Sequence, residues 1–301
     1  MFVHIVRERI GMPMLLIKGS YHLVNSRADG DTIPFKPDKK EEWDLVPGPH
    51  KVEQNTSGKA KLRLEAIDTL ETHYARNGNP EVHQPWLHGR AARDELTKWL
   101  GFTSVDRLPD ETVTAATPTT CPGWILTRSA GRDKRCIALA GKGTPPGTSG
   151  TFIHVDEALL STTFNHHILK EGLAYPTYYT SLFPDLREEL TAAVRQARAA
   201  DKGLWKDDDT LDGATVTGID SLQDDAVILP KLFRRLVDYL YLGDPDNADL
   251  TGFPAFLDQA ADQFWIISAG HSTTGLDAIV EVIDSKVRMT HPPEDLVFVE
   301  N

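Results

Sequence analysis

Leu62, Leu64 and Ala66 alternate with Arg63 and Glu65, and this rhythm runs straight into the acidic stretch Asp68 to Glu71. Successive side chains of an extended chain point to opposite faces. The pattern therefore predicts a strand over 61–67 with Arg63 and Glu65 on one face and the apolar residues on the other. A strand half-buried in this way must pair with others. Leu15 to Val24 reads as one, followed by the turn-like Arg27 to Asp31. Trp124 to Thr127 and Cys136 to Ala140 read as two more, joined by the polar loop around Gly131 to Lys134. Residues 34–60, with four prolines and many polar residues, read as a long loop.

Helical spacing appears between and after these strands. Ala92, Leu96, Trp99 and Leu100 recur at helical intervals and end at Gly101, a residue suited to a C-terminal cap. A short helix is expected over 164–171, closing at Gly172. A longer one carries Leu182, Leu186, Leu190, Val194 and Ala197 on one stripe. Strands with inserted helices and a terminal helix predict an α+β unit built on a small barrel. Lys206 to Asp209 makes a polar boundary. Beyond it, a helix stripe from Ile228 to Tyr241 and strand-like runs at 264–268, 278–283 and 296–299 predict a small C-terminal α/β module.

Charge separates the two parts. The net charge of the 301 residues is −12, yet 16 acids and only five bases fall in 211–301. The remainder is nearly neutral and retains the local basic residues that a phosphate backbone requires. The acidic third is unsuited to direct nucleic-acid contact. No apolar run approaches the roughly 20 residues needed to span a bilayer, and Met1 to Met14 has no apolar core typical of a secretory leader. These features set the expected compartment as the cytoplasm, with no membrane partner. Cys121 and Cys136 are too few for a disulfide framework and are expected as free thiols. His166 and His167, adjacent on a helix, point in different directions and are expected at the surface.

Three stretches carry chemistry together: Asp29 to Thr32, Leu62 to Thr72, and Asp133 to Arg135. Phosphodiester hydrolysis needs oxygen ligands for a hard cation, a group to activate water, and guanidinium groups for the developing negative charge. Asp31, Asp68 and Glu71 supply carboxylates, while Arg63 and Arg135 supply cations. Read singly, Asp-Gly-Asp is a β-turn and Arg63 a surface partner of Glu65; the joint pattern favours a site.

This joint pattern resembles the thermonuclease (staphylococcal-nuclease-like) family over residues 13–207. The likeness includes Gly89 to Ala92 at a helix start, Asn165 to Ala174, and the Ala/Arg helix ending near Trp205. The resemblance implies a five-stranded OB-type barrel with about three helices, followed by a module over 218–301. It implies calcium bound by Asp31, Asp68 and the backbone carbonyl of Thr69, with Glu71 as base or water-orienting group. Arg63 and Arg135 would hold the scissile phosphate, and Lys134 and Tyr178 the neighbouring phosphate and base. DNA or RNA would be the substrate, cleaved to leave 3′-phosphates. Leu70 stands where the family usually carries proline. Lys134 and Arg135 are adjacent where the family separates them, so Arg132 rivals Arg135 as the second arginine. A degenerate barrel that only binds nucleic acid or protein is the alternative, with the C-terminal module as an interaction domain for a protein partner.

Overall fold

The computed structural model describes residues 12–76 and 78–300; the leader reading at residues 1–11 lies outside them. The chain opens with β1 (Met12–His22) and β2 (Thr32–Pro37), then β3 (Ala60–Leu64) and the two-residue β4 (Ile67–Asp68). Helix α1 (Trp86–Leu100) follows, then the hairpin of β5 (Ser104–Arg107) and β6 (Val113–Thr117). Next come β7 (Thr120–Ala130), β8 (Cys136–Lys142) and β9 (Thr151–Val155). Two short helices, α2 (Glu157–Leu160) and α3 (Phe164–Lys170), lead to β10 (Tyr175–Pro176), β11 (Tyr178–Tyr179) and α4 (Pro184–Ala199).

Strands β1, β2, β3, β8 and β7 form a closed barrel, because β1 pairs with both β2 and β7; β9 adds to the outer side of β1. Leu15, Leu16, Ile17, Ile33, Leu62, Leu126 and Leu139 lie on its strands with no measurable exposure, so both faces of its wall are covered. The architecture is thus α+β on a closed five-stranded barrel, which fits the expected OB type. The barrel part carries four α-helices rather than about three, the extra one being the four-residue α2, capped by Asp156 accepting from the Leu159 N–H at 2.8 Å. Helix α1 buries Ala92, Leu96 and Leu100 and ends at Gly101 in the left-handed region, as its spacing predicts. The expected loop over 34–60 is instead partly built. Pro34 and Pro37 lie within β2, and a 3-10 turn over Lys40–Leu45 buries Trp43, whose indole N–H donates to the Gly58 carbonyl at 3.0 Å. The proline-rich composition concealed the alternation of Ile33 and Phe35, both fully buried.

Beyond a 3-10 turn at Gly203–Lys206 lie β12 (Ala214–Thr215), α5 (Ile219–Asp224), α6 (Pro230–Leu240) and α7 (Phe253–Ala260). The last strands are β13 (Gln263–Ile266), β14 (His271–Thr274), β15 (Val280–Ile283), β16 (Lys286–Met289) and β17 (Leu296–Phe298). This C-terminal part is joined tightly to the barrel part. Strand β17 pairs in parallel with β11, Tyr178 opposite Val297 and Tyr179 opposite Phe298. Arg198 of α4 donates two bonds to Glu294, at 2.6 and 3.0 Å. Tyr175 donates to Asp208 at 2.7 Å and to the Val227 carbonyl at 3.2 Å. Among the described residues no helix is long and apolar enough to cross a membrane. Cys121 and Cys136 are free and buried. His166 and His167 are not simple surface residues: His166 pairs with Glu189 at 3.1 Å and His167 with Glu95 at 2.8 Å, because α3 lies between α1 and α4.

A candidate phosphate-binding cleft

The second acidic residue of Asp-Gly-Asp is carried by a turn that only glycine permits. A Cβ on Gly30 would come within 2.7 Å of both the Ala92 Cβ and the Thr69 Cγ2. The missing side chain lets this turn lie against α1 and the 69–72 segment together. Asp29 closes the turn by accepting from the Thr32 N–H at 2.8 Å. Asp31 then reaches the other stretch: its Oδ2 accepts from the Thr69 N–H at 3.2 Å and its Oδ1 from the Thr32 hydroxyl at 3.0 Å. Gly89 plays the same part on α1, where a Cβ would meet the Leu70 carbonyl oxygen at 3.1 Å.

The strand carrying Arg63 continues through a turn at Glu65 and Ala66, the latter at φ 68°, into β4 and Asp68. Buried Asn165 fixes this turn. Its amide donates to the carbonyls of Glu65 at 2.7 Å and Ala138 at 3.2 Å, and its oxygen accepts from the Ala140 N–H at 2.9 Å. Gln84 fixes Glu71 from both sides: the Glu71 N–H donates to its side-chain oxygen at 3.2 Å, and the Gln84 N–H to the Glu71 carbonyl at 2.8 Å.

Asp31, Arg63, Asp68, Glu71 and Arg135 all line one cleft of about 890 Å³, with Asp29, Lys61, His73, Tyr179, Lys231 and Arg234 among its other walls. Registry accounts for the two expected arginines. Thr32 pairs with Arg63 across β2 and β3, and the parallel β8 begins beside Leu62, so Arg135 just before it falls at the rim. Arg135 donates to the Thr32 hydroxyl at 3.0 Å and to Asp133 at 2.6 Å. Arg132 lines a separate hollow with His50 and Lys51, so Arg135 and not Arg132 is the arginine at the cleft. Lys134 lies in an adjoining groove that shares Lys61, Asp133 and Arg135 with the cleft. Thr69 is buried beneath it.

Tyr178 is misplaced by the sequence reading. It is fully buried, with its hydroxyl 3.0 Å from that of Thr191 on α4. The next residue faces the cleft instead. The Tyr179 hydroxyl accepts from Arg63 Nη2 at 2.8 Å, and the Arg63 guanidinium carbon lies 5.0 Å from its ring centroid. Neighbours in a strand point to opposite faces: Tyr178 is turned to α4 and Tyr179 to Arg63.

The electrostatics are those of a crowded, half-dry site. Burial pushes the Glu71 carboxyl up to about 7, against the pull of Arg234 and with Asp68 and Asp31 adding to the rise. Burial, with Asp31 and Glu71 nearby, likewise drives Asp29 well above the usual carboxylate range. Burial disfavours the Arg63 cation, but Tyr179 and Asp68 outweigh it and hold its pKa above the ordinary value. For His73, burial and Arg27 lower the pKa and favour the neutral ring.

The residue that sequence reasoning missed is Arg234, on α6. Its Nη1 donates to Asp68 Oδ1 at 3.1 Å and Glu71 Oε1 at 2.6 Å, and its Nη2 to Asp68 Oδ2 at 2.8 Å. Burial opposes this charge, but Asp68 and Glu71 raise its pKa well above the ordinary value. Calcium takes six to eight oxygens at 2.3–2.6 Å. Here both Asp68 oxygens and one Glu71 oxygen already meet a guanidinium, and the Asp31 oxygens meet Thr32 and Thr69. Among the described residues no three His, Cys, Asp or Glu side chains converge as a metal cage. The calcium that the resemblance implies does not fit the carboxylates as they are placed. No protein-family profile matches the chain, and no curated protein matches it significantly.

Proposed function

We propose that this cleft, built mostly by residues 13–207 and closed by Lys231 and Arg234, binds the phosphodiester backbone of DNA or RNA and hydrolyses it. The observation that carries this reading is the convergence of Arg63 and Arg135 on the same cleft as Asp31, Asp68 and Glu71. Guanidinium groups match phosphate oxygens in a planar, bidentate way and stabilise charge that develops on them. Glu71, with a pKa of about 7, is poised to accept a proton from an attacking water at neutral pH. Arg234 holds its Oε1, so the base work falls to Oε2. Water adds to phosphorus as Glu71 takes its proton, the bond to O5′ breaks, O5′ takes up a proton from solvent, and a 3′-phosphate and a 5′-hydroxyl result. Tyr179, also facing the cleft, holds Arg63 in position. The thermonuclease-like reading of the fold is part of the same proposal.

The test is digestion of end-labelled single-stranded DNA and RNA by the purified chain, with calcium and with chelator, and analysis of the product ends. Shortened products bearing 3′-phosphates support the reading; intact substrate in every condition sinks it.

The clasp of Arg234 on Asp68 and Glu71 favours a second reading, a barrel that binds nucleic acid or protein without cleaving it. Retarded mobility of intact oligonucleotide would select this reading for nucleic acid. Trp265 and Ile267, half-exposed on the C-terminal part, are where a protein partner of residues 218–301 is proposed to dock.

A further inference from the structure

Arg234 comes from a helix that is fastened to the cleft on every side. Gln84, which brackets Glu71, also donates to the Ile228 carbonyl just before α6, at 2.8 Å. Phe233, next to Arg234, meets the Tyr74 ring edge-on at 6.3 Å. One turn on, Asp238 accepts from the Tyr74 hydroxyl at 2.8 Å and from Arg76 at 2.5 Å. Tyr74 and Arg76 follow directly on the segment that carries Glu71. The helix and the acidic loop are therefore one assembly, and Arg234 is aimed by packing rather than by a free side chain's wandering. The other two cations of α6, Lys231 and Arg235, both turn to Asp262 within the C-terminal part. Arg234 alone of the three reaches the carboxylates of the cleft.

We propose that Arg234 is the resident cation of this cleft, occupying on Asp68 and Glu71 the place a divalent cation would claim, so that the native chain handles phosphodiesters without one. A cation bonded to the same oxygens would press against the guanidinium, and two positive charges a few ångströms apart in a low-dielectric site repel strongly. The occupants are mutually exclusive. Bidentate to Asp68, the arginine also fixes the plane of that carboxylate and tethers one oxygen of Glu71 beside it, the positioning task that a bridging ion performs elsewhere. The mutual exclusion stands on the geometry alone; the independence from divalent cations rests on the phosphodiesterase reading above.

Calorimetric titration with calcium chloride tests it on the full chain, its Arg234→Gln, Arg234→Lys and Asp68→Asn variants, and an Arg234→Gln/Asp68→Asn double variant. The native chain and Arg234→Lys are expected to show no one-to-one site below millimolar calcium. Arg234→Gln is expected to gain one that is at least tenfold tighter and that the added Asp68→Asn removes. A one-to-one site of micromolar affinity in the native chain, abolished by Asp68→Asn, overturns the proposal even if Arg234→Gln fails to fold. So does an Arg234→Gln variant that folds and binds calcium no better than the native chain. Cleavage by the native chain that chelator stops and calcium restores would overturn the inference and leave the phosphodiesterase reading intact. The expected calcium titrations without cleavage of any substrate would uphold the mutual exclusion and end that reading.

Discussion

Replacing Asn165 with alanine should loosen the cleft by removing one side chain from beneath it. Asn165 is fully buried and makes three hydrogen bonds to main-chain groups of two neighbouring segments. Each such bond is worth about 1 kcal/mol net, and a buried partner left unpaired costs about 1–3 kcal/mol. Ala138 O also accepts from the Glu65 N–H at 2.8 Å and so keeps a partner. The Ala140 N–H and the Glu65 carbonyl each lose the bond they make to the Asn165 amide. The expected loss is therefore about 3–7 kcal/mol, about 1 for the bond to Ala138 and about 1–3 for each of the two orphaned groups, a large part of the total stability of most domains. Urea unfolding followed by tryptophan fluorescence reads it as a lower midpoint with unchanged slope. Asn165→Asp supplies a control: its carboxylate can still accept from Ala140 but meets the Glu65 and Ala138 carbonyls without a donor. At neutral pH it should destabilise at least as much as alanine. A loss below about 1 kcal/mol for Asn165→Ala would show that water or a shifted backbone satisfies these groups, and would refute the view that this residue anchors the turn leading to Asp68.

Burial raises Glu65 to about 7. A carboxyl raised on folding stabilises fully below its unfolded pKa, and that contribution is lost as pH climbs through the folded value. Between pH 4.5 and 7 the native chain should lose about 3 kcal/mol relative to Glu65→Gln; parallel stability curves for the two would contradict this. Because Glu71 also titrates at about 7, the cleavage rate should rise tenfold per pH unit below that value and level off above it, and a rate independent of pH across the neutral range would remove Glu71 as the base. Arg63→Ala or Arg135→Ala should lower the rate by several hundred-fold, equivalent to about 3–4 kcal/mol of transition-state stabilisation, with Arg132→Ala close to native; equal rates for all three would refute the assignment. Tyr178→Phe should cost only the stability of one hydrogen bond, about 1 kcal/mol, and leave oligonucleotide affinity untouched, whereas Tyr179→Ala should weaken it in a filter-binding assay.

Local sequence determined the parts of this protein whose cause is local. The period-two alternation specifies a strand through Leu64 because a pleated chain sorts its side chains by parity, but Glu65 and Ala66, expected to continue it, form a turn instead. The stripes on α1 and α4 specify helices because 3.6 residues make a turn. Gly30, Asp31, Arg63, Asp68 and Glu71 were legible because the first pair is a turn and the rest lie within nine consecutive residues, from the end of β3 to just past β4. Tertiary structure decided everything that depends on which segments meet. The choice of Tyr179 over Tyr178 came from the side of β11 on which α4 packs, and of Arg135 over Arg132 from the register of β8 on β3. Arg234 stands 166 residues from Asp68, on a helix where a charged residue ordinarily faces water. A guanidinium carries no local mark of the carboxylates it will meet; only the docking of α6 against the acidic loop brought them together.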